Sequence, residues 1–93
     1  MPVPEVMELS RTCLACPSQW RGKLDDGRDL YIRYRNGYLT CGAGRTFDDA
    51  VWPTDENTGE ILYSRVVGDY LDGYMTEDEM FEHLTGVIVS QDT

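Results

Sequence analysis

No apolar run in this chain approaches the roughly 20 residues a membrane-spanning helix needs, so the sequence offers no helical span. The opening Met1-Pro2-Val3-Pro4-Glu5 lacks the charged start and apolar stretch of a secretion signal. A cytoplasmic protein without membrane contact is therefore expected. Cysteine is scarce and odd in number. Cys13, Cys16 and Cys41 cannot make a complete disulfide framework, and reduced thiols suit a cytosol. There is a single histidine, His83, and no serine, cysteine and carboxylate set brackets it. Near the end of a helix such a residue is more often a dipole partner than a base. No glycine-rich loop opens a helix, since Gly42-Ala43-Gly44-Arg45 runs into a loop. Repeats and low-complexity tracts are also missing. The chain is expected not to be an enzyme and to carry no cofactor.

Positive charge runs short after residue 45. Residues 1–45 hold seven Arg or Lys against five Asp or Glu, and residues 46–93 hold one Arg against twelve acids, for a net charge of −9. Such asymmetry marks either a basic contact surface beside an acidic region, or two halves that neutralise each other in the fold.

What is present is hairpin grammar. Leu30-Tyr31-Ile32-Arg33-Tyr34-Arg35 and Tyr38-Leu39-Thr40-Cys41 alternate with period two around Asn36-Gly37. An Asn-Gly pair between alternating runs predicts a type I′ turn, because both central residues must accept positive φ. Arg35 then faces Tyr38, and Ile32 faces Cys41. Upstream, Gln19–Leu24 reads as a strand ending at Asp25-Asp26-Gly27. A three-residue loop there sets Gly22 opposite Leu30 and Trp20 opposite Ile32. A two-residue loop would bury Lys23 and Arg21 instead. The predicted core face is Trp20, Leu24, Leu30, Ile32, Tyr34, Leu39, Cys41 and Ala43. The opposite face carries Arg21, Lys23, Tyr31, Arg33, Arg35, Tyr38 and Thr40.

Residues 1–12, with two prolines and a short mixed run, read as a turn of helix or a loose N-terminal arm. Residues 45–60 read as a loop, and 61–67 as a fourth strand, although a short helix also fits. Thr76 with Glu79 forms a capping box, Met75 can staple onto Met80, and Gly86 is a left-handed terminator. Val87-Ile88-Val89 then packs as a tail or adds an edge strand, and an exposed edge there would favour a homodimer over a monomer. The fold class expected is α+β: one domain over residues 1–93, an antiparallel meander of three to four strands, and one C-terminal helix at about 77–85 on one face.

Three cysteines and one histidine are a legitimate structural zinc set, here Cys13, Cys16, Cys41 and His83. The register weighs against it. At about 3.3 Å per residue and 4.8 Å per strand step, Cys16 and Cys41 lie on the order of 16 Å apart. A redox role for Cys13-Leu14-Ala15-Cys16 wants a strand, the motif and then a helix, and here a proline and a strand follow. The acidic run from Asp55 fails the calcium-loop pattern, since Gly59 falls at position five and Val66 at twelve.

The Arg/Tyr face is the positive clue. Arginine and tyrosine dominate protein contact hot spots and also stack bases, but a net charge of −9 opposes direct nucleic-acid binding. The expected contact residues are Tyr31, Arg33, Arg35 and Tyr38, with Arg21 beside them, on a protein partner. An alternative is an acidic inhibitor or DNA mimic acting through residues 48–82, with Asp78, Glu79 and Glu82 prominent. A zinc-stabilised module is the third.

The residues Cys16-Pro17-Ser18-Gln19-Trp20, Asp26-Gly27-Arg28 and Tyr31 to Leu39 resemble small uncharacterised proteins of actinobacteria and their phages. The resemblance spans roughly residues 16–39 and excludes Cys13. It implies a small accessory protein, phage-encoded in some members, that engages a host component.

Overall fold

A computed structural model describes residues 3–13, 18–69 and 74–90, with the side chains of Cys13 and Ser90 left aside. The chain forms a mostly-β α+β sheet. Strands β1 (Glu5–Cys13), β2 (Ser18–Leu24), β3 (Asp29–Arg35), β4 (Tyr38–Gly44) and β5 (Glu60–Val66) pair antiparallel in sequence order. The short β6 (Val89–Ser90) adds to the far side of β1 in parallel. Two helices pack on the sheet, α1 (Phe47–Val51) and α2 (Glu77–His83).

The meander is therefore longer than the three to four strands expected, and it has a second helix. The two central hairpins take the expected registers: Gly22 opposite Leu30, Trp20 opposite Ile32, Ile32 opposite Cys41, Arg35 opposite Tyr38. Asn36 and Gly37 both have positive φ, 54° and 74°, as the I′ turn requires. Gly27, at φ 90°, closes the other hairpin, where the Leu24 amide donates to the Arg28 carbonyl.

Residues 5–13 are a strand rather than a helical turn or arm. A register irregularity between Val6 and Glu8 brings Val6 opposite Leu24 and Leu9 opposite Gly22. The bulge turns a period of two into a spacing of three, which imitates a helical face in the sequence. Residues 45–60, expected as loop, contain α1. Thr46 caps it by accepting from the Asp49 amide, and Asp48 and Asp49 sit where a helix start favours acids.

All eight predicted core residues are buried, joined by Val6, Met75, Met80, Leu84 and Ile88 in one cluster. The α2 capping box forms between Thr76 and Glu79, Met75 and Met80 are both buried, and Gly86 has φ 88°. Val87–Val89 leads into the edge strand β6, with Ile88 in the core. At one end of the core, Ser18 Oγ accepts from the Arg11 guanidinium at 2.8 Å and the Met75 amide at 2.9 Å. The Arg11 guanidinium also lies 5.1 Å from the Trp20 ring centre and 4.8 Å from that of Tyr74. This contact ties β1, β2 and the approach to α2 together. No helix among the described residues is long and apolar enough to cross a membrane.

Candidate functional site

The sheet has two dissimilar faces, and each receives one helix. The core face takes the apolar stripe of α2. The opposite face, with its alternate arginines and tyrosines, takes α1 over only part of its extent. Gly42 makes this possible: a Cβ there would run into the Ala50 carbonyl, so a side chain would lift the helix off the strand.

α1 divides the predicted contact residues into two groups. Tyr31 meets Phe47 edge-on, with ring centres 5.8 Å apart and an interplanar angle of 84°. The Arg21 guanidinium stacks 3.8 Å from the centre of the same ring, a cation–π contact. Arg21 and Tyr31 thus hold α1 in place. Arg33, Arg35 and Tyr38 lie beyond it, together with Thr40.

Two depressions open there. The first, about 250 Å³, is lined by Tyr31, Arg33, Thr40, Gly42 and the α1 flank through Val51, Trp52 and Pro53, and is closed by Ile61 and Ser64 of β5. The second, about 300 Å³, is lined by Arg33, Arg35, Asn36, Tyr38 and Thr40. Arg33 and Thr40 belong to both, so the two form one groove with an apolar end and a cationic end. Tyr38 and Ser64 are joined by a short hydroxyl–hydroxyl hydrogen bond, which links β4 to β5 along the groove.

The groove has an apolar rim that the sequence reading missed. Trp52 is 71% exposed, Ile61 62%, Val66 71% and Tyr38 42%. Trp52 is held by the loop after α1, although its ring faces solvent. The Asn57 carboxamide donates to the Trp52 carbonyl at 2.9 Å and accepts from the Thr54 and Gly59 amides. The Asp49 carboxylate accepts from the Thr58 hydroxyl and, at 3.2 Å, from its amide. These bonds, the Thr58 hydroxyl foremost, hold the Asp49 carboxyl below its ordinary pKa. The signal for this arrangement was Thr46 three residues before Asp49, the same cap grammar that identified α2.

Among the described residues no carboxylate pairs with the guanidinium groups of the groove. The ion pairs among the described residues join Lys23 to Asp29 and Arg28 to Asp26 and Glu60, so Arg33 and Arg35 have none. The Arg33 Nε is shielded from solvent and lacks a hydrogen-bond partner among the described residues.

The acidic half is split by the sheet. Asp48, Asp49 and the 55–60 turn accompany α1 on the outer face, while Glu77, Asp78, Glu79 and Glu82 lie on α2 over the core face. Asp78 and Glu82 are exposed, but Glu79 is engaged in the capping box. Its carboxyl is held below its ordinary pKa first by the Thr76 hydroxyl, then by the Thr76 amide and by His83.

Of the zinc set, Cys16 and the Cys13 side chain lie outside the described residues. Cys41 is buried in the core, and desolvation pushes its thiol pKa up to about 12. His83 is on the exposed side of α2. No group of three His, Cys, Asp or Glu among the described residues is placed to hold a metal ion.

The fold and groove together describe a small sheet domain with one face given to its core and the other covered by α1 over only part of its extent. The chain matches no family model, no curated protein and no solved structure to a significant degree.

Proposed function

We propose that the protein is a non-enzymatic, cytoplasmic binding module that contacts another protein through the open part of its Arg/Tyr face. The observation that carries this reading is the rim of exposed Trp52, Ile61, Val66 and Tyr38 around the guanidinium groups of Arg33 and Arg35. Trp, Tyr and Arg are the residues in which interface hot spots are richest. Apolar side chains exposed in a cluster, not singly, mark interaction surfaces on small domains. The resemblance to actinobacterial and phage proteins supports the setting of an accessory protein that engages a host component. The reading of an acidic inhibitor draws less support, because the carboxylates of residues 48–82 are divided between two faces of the sheet.

The test is a pull-down from host-cell lysate, with and without nuclease, read by mass spectrometry. One protein retained after nuclease treatment is expected. Arg33→Glu combined with Arg35→Glu should abolish its recovery while leaving the fold intact, read by circular dichroism. Recovery that survives the double substitution would remove this face from consideration. Recovery that depends on nucleic acid would make the groove a base-stacking surface instead.

A further inference from the structure

Resting on the binding reading, we infer that the groove is built for a short acidic segment of the partner protein, with a carboxylate side chain at Arg33 and Arg35 and one bulky apolar side chain in the cleft beneath α1. Three observations converge on that chemistry. The first is charge. Arg33 and Arg35 stand two residues apart on β3, about 6.6 Å along the strand, and point to the same face. Neither has an ion-pair partner among the described residues, although acids outnumber bases seventeen to eight in the chain. Lys23 and Arg28 take carboxylates from within the fold, whereas among the described residues Arg33 and Arg35, like Arg21, Arg45 and Arg65, form no ion pair, and of these Arg33 and Arg35 line the groove together.

The second observation is desolvation. Arg33 lines both halves of the groove, and its Nε is already out of water without a partner among the described residues. Part of the dehydration cost of binding an anion is therefore met in the free protein, which is preorganisation in its electrostatic form. Guanidinium groups prefer planar two-oxygen acceptors, and a carboxylate is the one a protein partner supplies.

The third is the adjoining apolar cleft. Its walls are Tyr31, Val51, Trp52, Pro53 and Ile61, and its floor is the bare backbone at Gly42. A volume of about 250 Å³ takes one bulky side chain, not a folded surface. The spacing of the two ends asks for the acid and the apolar anchor within a few residues of each other.

The net charge selects among anions. At physiological ionic strength charges are screened over about 8 Å. A short segment with one or two carboxylates feels mainly the two arginines. A nucleic acid extends past them and meets the acidic remainder of the surface.

The experiment is selection from a random heptapeptide library displayed on beads, with the intact protein as bait. Enrichment of Asp or Glu next to Leu, Phe or Trp is expected. A synthetic peptide of the enriched sequence should bind roughly 30-fold more weakly to Arg33→Ala, the loss typical of a hot-spot side chain, and Arg35→Glu provides the second test, at an exposed position. Replacing the peptide's acids by their amides should weaken binding to the native protein and make no further difference to the double variant Arg33→Ala with Arg35→Ala. Enrichment of apolar peptides without acids, lost on Ile61→Asp, would overturn this inference and leave the binding reading standing. Acidic peptides that bind the arginine variants unchanged would overturn it by placing the site elsewhere. A fluorescein-labelled single-stranded oligonucleotide that binds through Arg33 and Arg35 would overturn both.

Discussion

At the residue scale the two hairpin glycines make a controlled comparison. Gly27 and Gly37 both have positive φ, 90° and 74°, where a side chain costs about 1 kcal/mol against glycine. A Cβ at Gly27 meets nothing within 4 Å, whereas one at Gly37 overlaps the carbonyl oxygens of Gly68 and Asp69. The Gly37 carbonyl also accepts from the Val67 and Gly68 amides at 2.8 and 3.1 Å. Gly27→Ala is thus expected to cost about 1 kcal/mol, and Gly37→Ala at least twice that, because backbone must move as well. Urea denaturation of the two variants checks the ordering. Cys41 supplies a second test at this scale. Its thiol stays neutral in the fold up to about pH 12, while an unfolded thiol titrates at its ordinary value of 9.0. The unfolded state therefore loses its proton first. The stability from the neutral thiol is complete below pH 9.0 and is lost as pH rises toward 12. Below that window Cys41 should be alkylated only through opening of the sheet. Its labelling rate, followed by peptide mapping, should rise with urea in step with global unfolding.

At the element scale the helices depend on their caps. α1 has five residues and α2 has seven, well short of the length at which a helix persists alone. Packing on the sheet and terminal hydrogen bonds sustain them. Thr76→Ala removes the hydroxyl that accepts from the Glu79 amide at 3.2 Å and should cost about 1 kcal/mol, read as a lower denaturation midpoint at unchanged slope. The carboxyls of Asp49 and Glu79 both titrate lower in the fold than their ordinary values of 3.8 and 4.5. Their contribution is present above those values and is lost as pH falls through the lowered folded ones. The thermal midpoint should therefore drop in acid below about pH 4.5, and Asp49→Asn with Glu79→Gln should flatten that limb. Bulges also belong to this scale. The irregularity in β1 hides a strand from a period-two search, and one opposite Cys41 and Gly42 in β4 lets both Leu62 and Tyr63 of β5 pack against the core.

For the whole molecule, a net charge of −9 on 93 residues means self-repulsion opposes folding. The three ion pairs among the described residues all include a substantially exposed partner, so they add little. Raising sodium chloride to about 0.5 M shortens the screening length to a few ångströms and should raise the melting temperature. A fall on adding salt would mean that net attraction between the basic and acidic halves outweighs the repulsion. The sheet keeps those halves in different relations. The acids of α1 and α2 sit on opposite faces, and Arg33 and Arg35, without an ion pair among the described residues, occupy the outer face beside α1. That separation lets an acidic protein present a cationic groove.

What is local was legible in the chain alone. Asn36-Gly37 and Asp25-Asp26-Gly27 are turns short enough to set the register of the strands they join, and with period-two alternation that register assigned every core residue from Trp20 to Ala43. Thr76 and Glu79 determined the start of α2 for the same reason, since their partners lie within four residues. The remainder arose from long-range packing. Val6 and Leu9 make a strand because both pair with β2, Val6 also with β6, and a bulge absorbs the extra residue. Phe47 to Val51 becomes a helix on the outer face because Gly42 leaves room, and Phe47 finds Arg21 and Tyr31 there. That packing converts a uniform Arg/Tyr face into an anchored end and an open groove. It also places Trp52 and Ile61, distant in sequence from Arg33 and Arg35, along the same rim. Those contacts join residues on separate strands and helices, and no local spacing carries their signal.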